Sequence, residues 1–141
     1  MKLYTIGYAG KSAREFFTIL KNSDVKKIID VRLYPSTKDC GFARSKDLAF
    51  FLWVLCRIKY EHHKEFAPAS AMLKGYKDNL FGWSDIEEQY LNICQARKFT
   101  LTPDMDCACF LCAEPTPEQC HRRVLVEYLA RQNPDVEIIH L

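Results

Sequence analysis

The chain has 141 residues, of which 48% are hydrophobic and 27% charged, with a formal charge of +2. That length suits one domain with a single core, and that composition excludes disordered and fibrous classes. The small net charge excludes the overall basic field of many nucleic-acid binders, and no apolar run is long enough to span a bilayer.

The N-terminal stretch MKLYTIGYAG lacks a signal-peptide core. Seven cysteines without an export signal read as reduced thiols of a cytoplasmic protein, several of them acting as small buried hydrophobes.

In chain order, Lys2–Ile6 is a short apolar run ending at Gly7 and predicts a strand. Ser12-Ala13-Arg14-Glu15 has the spacing of a capping box, and Ala13, Phe16, Phe17 and Leu20 behind it keep helical spacing. Lys27–Val31 predicts a second strand. Ser45 predicts the cap of a helix running through Arg57, and Ile58–His62 a third strand.

The segment Lys64–Trp83 shows no clear period. Ser84-Asp85-Ile86-Glu87 predicts another capping box and a helix through about Arg97. Asp106–Ala113 reads as a central strand. Thr116 then predicts the N-cap of the last helix, with Pro117 at the first helical position, where its missing amide costs nothing. Val136–Ile139 predicts the last strand. Strands alternating with helices imply a single α/β domain: a mostly parallel sheet of about five strands with helices on both faces.

Ligands of such sheets bind beyond the carboxyl ends of the strands, near a switch in strand order. The polar residues that stand out lie at those ends: Gly7 and Tyr8 after the first strand, Asp30 and Arg32 at the second, His62 and His63 at the third. Glu114 follows the fourth and leads into Cys120, His121 and Arg122. Arg32 and Arg122 would hold an anion, while Glu114 and His121 supply an acid–base pair beside Asp30. The loop Tyr34–Arg44, with Lys38, Arg44 and aromatics, resembles a binding loop.

Other motifs are weaker. Gly7–Ser12, GYAGKS, ends like a phosphate-binding loop, but Thr5 stands where that pattern needs a glycine. A glycine-bearing turn before a helix can still take a single anionic group. None of the seven cysteines has an arginine six positions later, so the phosphatase loop is absent. On a strand, Cys107 and Cys109 face away from Cys112, so no single ion collects all three. Neither a disulfide nor stoichiometric zinc is expected, and no cofactor is implied.

TIGY at Thr5–Tyr8, DVRLYP at Asp30–Pro35, the pair Lys59–Tyr60, LCAEPTPEQCHR at Leu111–Arg122 and the terminal His140–Leu141 resemble domain-of-unknown-function family 488. The chain departs from the family's pattern at Ser36-Thr37-Lys38 and at Phe66-Ala67-Pro68. The resemblance implies the α/β fold and the choice of site residues, and supplies no reaction.

Three functions follow from these residues. The first is an enzyme or enzyme-like protein acting on a phosphate-bearing small molecule or nucleic acid. The second is a non-catalytic nucleic-acid or protein-binding module, and the third a metal or redox protein using Cys112 and Cys120.

Overall fold

The computed structural model describes residues 1–36 and 40–141; Lys38 of the expected binding loop lies outside them. The strands are β1 (Lys2–Gly7), β2 (Lys27–Asp30), β3 (Lys59–His62), β4 (Ala108–Cys112) and β5 (Glu137–His140). They form one five-stranded sheet in the order β3-β2-β4-β1-β5. Every pairing is parallel.

The central strands β1 and β4 are almost wholly buried, as a parallel sheet covered on both faces demands. Tyr4, Ile6, Ile28, Cys109 and Leu111 point to one core, and Leu3, Ile29, Ala108, Phe110 and Cys112 to the other. The alternation separating Cys109 from Cys112 is therefore present.

Among the described residues there are five α-helices. Two pack on the first core: α1 (Ala13–Lys21) and α2 (Ser45–Phe51), which continues as a π-helical turn, Leu52–Cys56. Against the second core lie α3 (Ser70–Lys77), α4 (Trp83–Ala96) and α5 (His121–Ala130). No helix among the described residues is long and apolar enough to cross a membrane.

Helix α1 starts as its sequence predicts. The Ser12 hydroxyl accepts from the Glu15 amide at 3.1 Å, and the Glu15 carboxylate takes the Ser12 amide at 3.4 Å. That carboxylate fills the helix start where GYAGKS was expected to take a single anion. The Lys11 ammonium turns back onto the Gly7 carbonyl at 2.8 Å.

The other helix starts differ from expectation. Arg44, not Ser45, holds the cap position of α2, and the Ser45 hydroxyl pairs with that of Ser36 at 3.1 Å. Helix α4 begins two residues early, at Trp83, with Gly82 in place of Ser84 as N-cap. Asp85 takes the Gly82 amide at 3.1 Å, while Glu87 is drawn off by Arg123 at 3.0 Å.

The largest correction is α5, which begins at His121 with Cys120 as N-cap and no capping side chain. Thr116 lies four residues before that cap and does not cap the helix. The Arg122 guanidinium holds the Glu114 carbonyl at 2.7 Å, and Arg123 bonds the Glu118 carbonyl at 3.3 Å, which keeps the segment from coiling.

The segment without a sequence period holds a 3₁₀ turn, Lys64–Phe66, and then α3. The Phe81 ring folds back onto Gly75, where an added Cβ would meet it at 2.2 Å.

The chain leaves β2 toward β3 on one side and leaves β4 toward β5 on the other. These adjacent strands thus form the switch point, and their carboxyl ends open a crevice there.

Candidate functional site

Asp30, the last residue of β2, is completely buried. Its carboxylate accepts from the Arg32 amide at 3.1 Å, from Arg32 Nε at 2.9 Å, from Arg32 Nη2 at 2.7 Å and from the Tyr60 hydroxyl at 2.6 Å. Four donors on one carboxylate satisfy its burial. Asp30 does not line the cavity, so it positions Arg32 and is not exposed as a catalytic carboxylate.

Arg32 Nη2 also donates to the Ala43 carbonyl at 2.7 Å, and the guanidinium lies over the Tyr8 ring, 5.1 Å from its centroid. Burial disfavours the charged guanidinium, but the Asp30 carboxylate more than offsets this and holds the Arg32 pKa above its ordinary value. Burial and the hydrogen bond to Asp30 likewise raise the Tyr60 hydroxyl. The Arg32 side chain is only 5% exposed, and its Nη1 has no hydrogen-bond partner. A buried donor left unpaired costs about 1–3 kcal/mol.

Arg32 lines a cavity of about 230 Å³ at the crevice. Tyr8, Tyr34, Tyr76 and Trp83 give it an aromatic wall, and Glu114, Cys112, Cys120 and His121 close the β4 side. The three functional groups expected to share a pocket, on Arg32, Glu114 and His121, do share this one.

Arg122 is fully buried and stands behind the cavity wall, not on it. Its Nη1 holds the Glu114 carbonyl, which in turn lies against Gly7: a Cβ added at Gly7 would meet that oxygen at 1.6 Å. Only glycine leaves room for this approach. Gly7 and Arg122, expected to touch ligand, therefore shape the turn that carries Glu114.

The family model described as Domain of unknown function DUF488 matches residues 12–129, from the start of α1 to the last turn of α5. The chain belongs to that family. No curated protein and no solved structure matches it.

In this DUF488 domain both ring nitrogens of His121 are engaged. Nε2 donates to the Val31 carbonyl at 3.1 Å, and Nδ1 faces the Cys112 sulfur at 3.6 Å. The carbonyl can only accept, so the hydrogen sits on Nε2 and the Nδ1 lone pair is aimed at the thiols. The Tyr90 ring meets the imidazole edge-on at 5.3 Å. Among the described residues Glu114 and His121 share no hydrogen bond; Glu114 is exposed, and His121 is tied to Cys112.

Cys112 and Cys120 form a coupled pair. The hydrogen-bonded Cys120 thiol holds Cys112 below the ordinary thiol range against burial, with help from the Ala113 amide and the Arg122 charge. The Cys112 partner, together with burial, pushes Cys120 up. Of the pair, Cys112 therefore gives up its proton first.

His62 donates to the Arg32 carbonyl at 2.8 Å, and His63 lies between Glu61 and Glu65 at 2.7 and 2.9 Å. Neither borders the cavity. Sequence reasoning assigned no role to Tyr60, Tyr76 or Trp83. Tyr60 carried a signal, because on the neighbouring strand it lies two residues before His62, the register partner of Asp30, and so shares its face of the sheet. Tyr76 and Trp83 carried none.

Proposed function

We propose that the crevice between β2 and β4 binds a small phosphate-bearing substrate of the nucleotide class, and that the protein acts on it as an enzyme of a reducing, cytoplasmic compartment. The observation that carries this is Arg32. Its charge is anchored on Asp30, and its one unpartnered nitrogen, Nη1, belongs to a side chain lining the cavity. A phosphate oxygen there would satisfy that donor with a charge-assisted hydrogen bond.

The cavity of about 230 Å³ is below the roughly 300 Å³ at which drug-sized pockets begin, so it suits the phosphate end of a small nucleotide, the rest of which would extend through the mouth. Tyr8 and Trp83 offer faces for a planar ring, and Tyr34, 62% exposed, stands at the mouth. Glu114 is the group positioned to exchange a proton with the substrate, and His121 orients the neighbouring thiol.

Calorimetric titration with a nucleoside monophosphate and with the matching nucleoside tests this. The monophosphate binds the wild-type chain, and Arg32→Lys, which keeps the charge but loses the fork, weakens binding at least tenfold, about 1.4 kcal/mol. Arg123→Ala leaves it unchanged, because Arg123 is already held by Glu87 and Glu127 at 3.0 and 2.9 Å on the helix surface. Equal binding of nucleoside and monophosphate, or of Arg32→Lys and wild type, overturns the assignment.

A further inference from the structure

Three potential metal ligands meet on the β4 side of the cavity. The Cys112 sulfur, the Cys120 sulfur and a ring nitrogen of His121 all lie within 4.8 Å of one another, and all three residues are buried. Strand alternation does separate Cys112 from Cys109, and Cys107, which lies just before the strand in a left-handed conformation, packs on the Cys109 side. The missing ligands come instead from the N-cap and first residue of α5, which the turn held by Arg122 brings back over the end of β4.

The distances suit a tetrahedral ion. With metal–sulfur bonds of about 2.3 Å and metal–nitrogen bonds of about 2.0–2.1 Å, a thiolate sulfur and an imidazole nitrogen on one ion stand roughly 3.6 Å apart. Cys112 Sγ and His121 Nδ1 are 3.6 Å apart. A thiol–imidazole hydrogen bond would explain that pair alone, but not the second sulfur delivered from another element.

The surroundings of the histidine point the same way. Its far nitrogen donates to the Val31 carbonyl at 3.1 Å, the arrangement that fixes tautomer and ring orientation in metal-bound histidines and leaves the other lone pair free for the ion. Two thiolates and one imidazole would give a bound divalent ion no net excess of charge to bury.

We infer that Cys112, Cys120 and His121 form a three-ligand site for a zinc-class divalent cation, with the fourth position open to the cavity that Arg32 and Glu114 line. Two sulfurs and one imidazole are the donor set of a catalytic zinc centre, in which a water or substrate atom takes the remaining position. Binding displaces the thiol protons to solvent, one from each cysteine. This site is independent of the phosphate subsite at Arg32 and goes beyond it.

The test is titration of the reduced chain with Co²⁺, followed by Zn²⁺ competition. One cobalt per chain is expected, with thiolate-to-metal charge-transfer absorption and the visible bands of tetrahedral cobalt, both lost when zinc displaces it. Cys112→Ser, Cys120→Ser and His121→Ala should each weaken uptake by at least roughly tenfold. Cys107→Ser and Arg32→Lys should not change it, and the latter separates this site from the phosphate subsite. X-ray absorption of the wild-type cobalt complex needs no variant and should show two sulfurs and an imidazole nitrogen. A sulfur-free ligand shell, no charge-transfer band, or Cys120→Ser binding like wild type overturns the assignment.

Discussion

Two buried arginines stand at the carboxyl edge of the sheet, and they are held in opposite ways. Arg32 is clamped by a carboxylate and lines the cavity, with one nitrogen unsatisfied. Arg122 has a backbone carbonyl as its partner and no carboxylate among the described residues; its Nε is unpaired as well, but the residue has no place on the cavity wall, so that donor faces no ligand space. Sequence treated them alike, as two guanidiniums near an anion. The difference teaches that an arginine anchored by an acid can offer its remaining donor to a ligand, whereas one spent on a carbonyl sets the shape of a loop. Its field still reaches its neighbours, the coupled thiols first among them.

The largest expected effect breaks the Arg32 side. Arg32→Leu strands the Asp30 carboxylate in the core with Tyr60 as its remaining side-chain donor, and should cost about 3–5 kcal/mol in urea unfolding. Adding Asp30→Asn should return part of that loss. Arg122→Leu strands no carboxylate and should cost less than Arg32→Leu; an equal or larger loss would erase the distinction between the two.

Next comes the wall that Arg122 supports. Gly7→Ala places a methyl 1.6 Å from the Glu114 carbonyl oxygen, so the turn must move or the strand must shift, at about 3 kcal/mol. The same unfolding measurement reads it. A change under about 0.5 kcal/mol would mean that the turn adjusts freely, and that Arg122 does not hold it.

A smaller effect concerns charge. In the metal-free, reduced chain, iodoacetamide should label Cys112 along a pH curve lying below the ordinary cysteine value of about 8.5. The sign follows from the thiolate being the nucleophile: the Cys120 hydrogen bond depresses the Cys112 pKa, so the reactive form appears at lower pH. Arg122→Leu should move the curve to higher pH, and Arg32→Lys should leave it in place. If both move it equally, the thiols sense no particular arginine.

The smallest effect lies at the far edge. Burial, and then the Arg122 charge, lower the pKa of His140, whose Nδ1 meets the Thr5 hydroxyl at 2.6 Å. The folded state therefore resists protonating His140 more than the unfolded state does. Stability should fall as pH drops through the window between the ordinary histidine value and the lower folded one, and the penalty should then be complete. His140→Asn should flatten melting temperature against pH in that window; an unchanged slope would assign the loss elsewhere.

Much of the fold was legible locally. The apolar runs of β1, β2 and β4 predict the inner strands, because a strand buried on both faces must be apolar nearly throughout, while the edge strands β3 and β5 are more polar and half-exposed. Three of the four helix-start signals, however, point to the wrong residue. Only Ser12 keeps its box, since no distant group competes for Glu15. At Ser84 a distant arginine takes Glu87, and at Thr116 the buried Arg122 keeps the turn from coiling. The period of Ser70–Lys77 was hidden because the helix is short and buries a glycine, Gly75, under the Phe81 ring.

By itself, then, the sequence determined the alternation of strand and helix, the burial of the central strands and the segregation of polar residues to strand ends. These depend on composition and period within a few residues. Tertiary structure alone decided that Asp30 serves Arg32, that Arg122 turns inward to a carbonyl, and that Cys112, Cys120 and His121 converge. Those outcomes depend on which strand lies beside which and on how the chain crosses between them, and neither distance nor burial across such crossings is written in local spacing.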